Sequence, residues 1–184
     1  MVGAYLALLG LIAAERVAEL LLSRRNARIA FARGGKETGA AHFRWMTLVH
    51  ALFLPCCAVE VLLLHRPFPG LAGFVFAAGA IAAQGLRWWA IASLGWRWNV
   101  RVIVVPAEPP VRRGPYRLLR HPNYVAVALE MVCVPMTHCA FLCAALFSLL
   151  NALLLRVRIR VEEQALGAGW EQAFSGTPRF FPHG

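Results

Sequence analysis

The run YVAVALEMVCVPMTHCAFLCAALFSLLNALLL, from Tyr124 to Leu155, decides the fold. A helix crossing a bilayer needs about 20 consecutive, mostly apolar residues. This run is too long for one crossing and is interrupted near its middle by Pro135, Thr137 and His138. A split at Met136 to Cys139 turns it into two short spans folded back as a tight hairpin. Working upstream, three more apolar runs reach spanning length, at about Val2 to Leu22, Phe43 to Leu64 and Phe68 to Leu94. The expected fold is therefore all-α, a polytopic membrane bundle of about five transmembrane helices.

Composition agrees. Of the 184 residues, 59% are hydrophobic and only 15% charged, where soluble domains hold roughly 45–50% and about 25%. The net charge is +10, which suits either nucleic acid or an anionic membrane surface. The basic residues flank apolar runs and form no extended basic domain, so a nucleic-acid partner is not expected. Lys36 is the single lysine, and the abundance of Arg, Ala, Gly, Leu and Val is that of a GC-rich, bacterial coding sequence. The five cysteines, Cys56, Cys57, Cys133, Cys139 and Cys143, all sit in apolar runs without a paired CxxC and His set. Free thiols and no metal site are expected. The first run lacks a basic segment before it and a small-residue cleavage site after it, so it reads as a retained helix.

Orientation follows from the positive-inside rule. Arg24, Arg25, Arg28, Arg33, Lys36 and Arg44 follow the first span; Arg97, Arg101, Arg112, Arg113, Arg117 and Arg120 follow the third; Arg156, Arg158, Arg160 and Arg179 follow the fifth. The turn between spans two and three holds only Arg66, and the hairpin tip holds none. The N-terminus is then outside, and residues 95–123 and 156–184 share the cytoplasmic side of a bacterial inner membrane.

Ionisable residues inside spans are costly and turn toward the bundle interior. Glu15 and Glu19 are four apart on one helix face, with Arg16 beside them, and Glu130 lies two turns into span four. They read either as a substrate pocket or as ion pairs that lock helices together. Glu60, Gln84, Arg87 and Asn151 pose the same choice. His50 reads as a packing residue, and Trp88, Trp89, Trp96 and Trp98 as an aromatic belt.

Two constellations carry chemistry. In Gly114-Pro115-Tyr116-Arg117-Leu118-Leu119-Arg120-His121-Pro122-Asn123-Tyr124, Gly-Pro makes a rigid turn. Pro122 suits the first turn of span four and keeps His121 out of it. A guanidinium, an imidazole and two phenols then gather before a helix N-terminus, whose free N–H groups favour a carboxylate or phosphate. The second, Arg156-Val157-Arg158-Ile159-Arg160-Val161-Glu162-Glu163, reads alone as a positive-inside signal with an i,i+4 pair such as Arg158 to Glu162. The topology puts it beside the first.

Arg120-His121-Pro122-Asn123-Tyr124, followed after the hairpin by Glu162-Glu163, resembles the RHPxY…EE signature of isoprenylcysteine carboxyl methyltransferases and related lipid methyltransferases. Gly114-Pro115-Tyr116-Arg117 and Arg179-Phe180-Phe181-Pro182 fit as well, and the resemblance covers roughly residues 95–182. Glu15-Arg16, Glu19-Leu20, Arg24-Arg25-Asn26, Arg33-Gly34, His42 and Trp98 through Pro106 are similar to a bacterial branch that O-methylates phenolic lipids, the alkylresorcinols and alkylpyrones made by type III polyketide synthases. No dinucleotide-type glycine fingerprint is present.

The resemblance implies a single membrane domain over 1–184, with three N-terminal spans in 1–94 and a catalytic half in 95–184. It implies S-adenosylmethionine as cofactor and a lipophilic acceptor entering from the bilayer. His121 and Tyr124, with Arg120 nearby, would hold the methionine carboxylate end; Gly114, Pro115, Tyr116 and Pro122 would shape the cofactor wall. Glu162 or Glu163 would face the ammonium or organise the Arg residues. For a phenol, Arg158 or Arg160 would stabilise the phenolate and Glu163 accept its proton. Glu15, Glu19 and Glu130 are the substrate-pocket candidates. The expected activity is O-methylation of a phenolic lipid, possible partners being membrane lipids and a type III polyketide synthase. The other acceptors are a prenylated cysteine carboxylate and an ethanolamine phospholipid. A small transporter or assembly subunit is the non-enzymatic reading; it leaves the converging motifs unexplained.

Overall fold

The structure is a computed structural model that describes residues 1–106 and 108–180, with all their side chains except those at 41 and 42. The His42 side chain and Phe181-Pro182, both part of the resemblance, lie outside the described residues. The helices are α1 (Val2–Ala32), α2 (Ala40–Leu63), α3 (Leu71–Leu94), α4 (Pro122–Met136) and α5 (Phe141–Ala173). Single 3-10 turns cover Gly95–Arg97 and Gly114–Arg117. Two short strands, β1 (Lys36–Thr38) and β2 (Val102–Val104), pair antiparallel with Glu37 opposite Ile103.

The bundle is all-α apart from that ribbon. Among the described residues, α2, α3 and α5 are long and apolar enough to cross a membrane. The α1 helix is long but interrupted by its charges, and the 15 residues of α4 reach only about 22 Å, short of the ~30 Å hydrocarbon layer. Leu11, Val17, Leu63, Leu71, Ile81 and Leu149 are each more than half exposed. An apolar belt of this kind has no place in water, and the chain is an integral membrane protein.

The hairpin turns where Pro135 dictates. Proline has no N–H for the carbonyl four residues back, so Met131 O is free, and Ser148 Oγ on α5 donates to it at 3.5 Å. The chain reverses over residues 137–140, with Cys139 at φ +56° and Ala140 N–H donating to Pro135 O at 2.9 Å. The first turn of α5 is capped from another helix. Leu142 and Cys143 N–H donate to the Glu60 carboxylate of α2 at 3.1 and 2.7 Å, and Arg66 pairs with Glu60 at 2.9 Å. That accounts for Glu60, whose buried charge meets helix N–H groups and a guanidinium.

Below the turn, Tyr5, Leu9 and Ile12 of α1 pack with Phe53 and Cys57 of α2, Ala80 of α3, Met131 of α4 and Phe147 of α5. All five helices thus meet in one core. Two helices outrun their expected spans. The α1 helix passes Leu22 and ends at Ala32, since no Gly or Pro intervenes before Gly34. The α5 helix passes Leu155 and carries Arg158, Glu162 and Glu163 on its ordered face, bending only at Gly167, where φ is +73°.

Candidate active site at the arginine-rich end

The Arg-His-Pro loop is held by backbone before any side chain acts. Arg120 and His121 N–H donate to the carbonyls of Pro178 and Arg179 at 2.9 and 3.3 Å, so the C-terminal segment lies along the loop. Arg120 Nε donates to Thr177 O at 2.5 Å. His121 precedes Pro122 in a non-helical conformation, at φ −129°, as a residue before proline prefers. His121 and Tyr124, three apart, share one face and their rings stack at 5.2 Å.

Each of these residues meets one carboxylate of α5. His121 Nε2 lies 3.1 Å from Glu163 Oε1. Arg179 grips the same carboxylate with two hydrogen bonds, at 3.0 and 2.6 Å. Tyr124 Oη donates to Glu162 Oε2, and Arg158 Nε donates to Tyr124 Oη at 2.8 Å. The Arg158–Glu162 pair expected from spacing is therefore bridged by a phenol from α4. Glu162 Oε1 has no hydrogen-bond partner among the described residues.

His121, Tyr124, Arg158 and Glu162, but not Glu163 or Arg179, line a cavity of about 630 Å³. Tyr116, Arg120, His121, Asn123 and Tyr124 form one wall, and Arg158, Glu162 and Trp170 of α5 form the next. The opposite wall holds Trp98, Asn99, Arg101 and the β2 strand. Asn99 is fixed to α1 by Ser23 at 2.9 Å, and Arg101 by Glu37 of β1. Asn123 Oδ1 is buried and has no partner among the described residues. Burial first, then the charge of Glu162, holds the Tyr116 phenol well above the usual tyrosine range.

Other sequence candidates are placed outside the cavity wall. Gly114 docks on α3: at φ +57°, an added Cβ would stand 2.0 Å from Ser93 Oγ and 3.0 Å from Trp89 Nε1. Pro115 and Pro122 are buried behind Tyr116 and Tyr124, and Arg160 is exposed. Glu163 touches the site through His121. Glu15, Glu19 and Glu130 meet across helices. Glu19 accepts from Arg16 and Arg87, and Arg16 reaches Gln84 at 2.9 Å and Glu130 at 3.1 Å. Trp88 Nε1 donates to Glu15. The sequence reading missed Asn123 as a wall residue. It missed Trp170 too, which the Gly167 bend brings onto His121 at 5.6 Å; a glycine inside an otherwise helical run was the available signal.

The pattern of the isoprenylcysteine carboxyl methyltransferase (ICMT) family matches residues 75–168. That stretch runs from α3 through the Arg-His-Pro loop and the hairpin to Glu162 and Glu163. The Bacillus subtilis (strain 168) protein named "Uncharacterized protein YpbQ" is 37% identical over 159 residues, covering 86% of this chain and 94% of that protein. The chain belongs to the isoprenylcysteine carboxyl methyltransferase family. It is a membrane methyltransferase by that membership, and family members in general use S-adenosylmethionine. The B. subtilis relative also spans nearly its whole length, so the likeness extends beyond the ICMT pattern into α1 and α2.

Proposed function

We propose that the chain transfers the methyl group of S-adenosylmethionine to an oxygen of a lipophilic acceptor, and that the acceptor is a phenolic lipid of the alkylresorcinol or alkylpyrone type. One observation carries the reading: Arg158, Tyr124 and Glu162 are linked in series along the wall of the cavity. The cofactor brings an activated methyl on a sulfonium, a carboxylate, an ammonium and an adenine. The residues fit it. Small-molecule sites commonly hold 300–1,000 Å³, as this cavity does. Arg120 and His121 suit the carboxylate, the unpartnered Asn123 Oδ1 suits an N–H donor, and the Tyr116 and Trp170 faces suit a cation or a flat ring.

Displacement at carbon requires acceptor oxygen and methyl carbon aligned about 3–3.5 Å apart. A phenol, with pKa near 10, must also lose a proton. Arg158 is buried and supplies a fixed positive charge for the phenolate, and the free oxygen of Glu162 is placed to take the proton. Glu163 is engaged by His121 and Arg179 and acts as a positioning residue for the imidazole. A carboxylate acceptor would need the alignment and Arg158 alone, so the family's isoprenylcysteine acceptor remains the second reading. The cavity then faces the cytoplasm of a bacterial inner membrane, with the N-terminus outside. A type III polyketide synthase is the partner class that would supply the phenol.

The test is incubation of the detergent-solubilised protein with radiolabelled S-adenosylmethionine and two acceptors, 5-pentadecylresorcinol and N-acetyl-farnesylcysteine, beside a His121→Ala control. Label in the resorcinol, lost in the control, is the expected result. Label in the farnesylcysteine alone moves the acceptor to a carboxylate. No cofactor binding in an equilibrium assay removes the enzyme reading for this chain.

A further inference from the structure

A second cavity, of about 330 Å³, lies between α1 and α3 at the arginine-rich end. Leu22, Arg25, Asn26 and Ile29 fall on one face of α1 and form one wall; Trp88 and Ala92 of α3 stand in the other. Trp88 and Ala92 are exposed, so the groove opens outward from the bundle. Its polar floor is already satisfied: Asn26 Nδ2 donates to Trp98 O at 2.8 Å and to Gly95 O at 3.2 Å. Apart from Trp96 it shares no lining residue with the larger cavity. It is a separate surface, and the methyl-transfer reading leaves it without a use.

The wall selects the chemistry of an occupant. Arg25 is the one charged residue that lines the groove, and it is exposed, with no carboxylate partner among the described residues. Arg33 and Arg97 stand 4.4 and 5.4 Å from the Trp96 ring centroid, but both pair with Glu108. From Leu20 to Ala32, α1 carries Arg24, Arg25 and Arg28 and no acidic residue. Trp88 and Trp96 set the depth, since indoles collect at the head-group level of a bilayer. An unpaired guanidinium at that depth, one turn from Leu22 and beside an apolar slot, suits a molecule with a phosphate joined to a hydrocarbon chain.

We infer that the α1–α3 groove binds an anionic phospholipid, one acyl chain lying against Leu22 and Ala92 and the phosphate meeting Arg25. A zwitterionic lipid brings a cation along with its phosphate, which three neighbouring arginines disfavour. The bound chain bridges α1 and α3 about one turn from the buried Glu19–Arg87 pair, so the lipid stabilises the approach of these two helices. The inference is independent of which acceptor is methylated.

Thermal unfolding in detergent micelles doped with dioleoylphosphatidylglycerol or dioleoylphosphatidylcholine tests it, because a ligand of the folded state raises Tm with its concentration. The expected result is a saturating rise in Tm with phosphatidylglycerol and a smaller one with phosphatidylcholine. Arg25→Gln removes the charge and Ala92→Trp fills the groove. Each is expected to weaken the apparent affinity for phosphatidylglycerol by about tenfold or more. Arg44→Gln, at an exposed arginine of α2 outside the groove, keeps the wild-type response. Equal shifts with the two lipids overturn the proposal. So does a full phosphatidylglycerol response in Arg25→Gln or Ala92→Trp, or an equal loss in Arg44→Gln, which would mean a diffuse surface charge. If Ala92→Trp does not fold, Ile29→Trp fills the groove from the opposite wall and decides.

Discussion

Tyr124 accepts a hydrogen bond from Arg158 and donates one to Glu162, so a single phenol from α4 sets the distance between a cation and a carboxylate on α5. Glu162 and Glu163 are neighbours in sequence but stand in different surroundings. The first keeps one oxygen unpartnered among the described residues, and the second has both oxygens taken by His121 and Arg179. Under the phenolic reading, Glu162→Gln is expected to lower kcat by about 100-fold or more, with cofactor affinity kept. Glu163→Gln is expected to raise the cofactor Kd with a smaller change in kcat, because it loosens His121. Single-turnover kinetics with equilibrium binding separates the two, and the reverse order would return the proton-accepting role to Glu163. The motif Arg-His-Pro-Asn-Tyr and the Glu pair were legible in sequence. Which Glu meets which partner was not, because helical spacing alone cannot say where a tyrosine from another helix inserts.

At the scale of helices, the buried charges of α1, α3 and α4 act together. Arg87, 6% exposed, meets Glu19, 2% exposed, and Glu130 stands 3.9 Å from it. Breaking a buried pair by removing one partner costs about 3–5 kcal/mol, because the other charge stays buried and uncompensated. Arg87→Met is therefore expected to lower thermal stability in detergent by that order. The double variant Arg87→Met with Glu19→Gln is expected to recover much of it, leaving Arg16 to pair with Glu130. A single variant as stable as wild type would mean that water reaches the cluster. Sequence placed Glu15, Arg16 and Glu19 on one turn. It left open whether they face substrate or other helices, since that depends on α3 and α4 presenting Arg87, Gln84 and Glu130 at matching depth.

The whole molecule has a core near the hairpin turn and its cavity at the other, arginine-rich end. Positive charge at one end predicts an orientation, with the N-terminus outside and the C-terminus in the cytoplasm. A cysteine placed at Pro69 in an otherwise cysteine-free variant should react with a membrane-impermeant maleimide in intact cells. One placed at Arg112 should react only after lysis. The opposite pattern would turn the cavity outward, away from a cytoplasmic methyl donor.

Apolar run lengths, the interruption at Pro135 and the placement of Arg were enough, by themselves, to determine an all-α membrane bundle with a helical hairpin. Those features answer to the bilayer, a uniform environment that acts on each segment separately. The motif residues likewise carried the family. Tertiary structure decided the rest: the extension of α5 past Leu155, the β1–β2 ribbon that lines the cavity, and the bridge through Tyr124. Each of these depends on side chains far apart in sequence meeting at a few ångströms, and such meetings are set by how helices pack against one another.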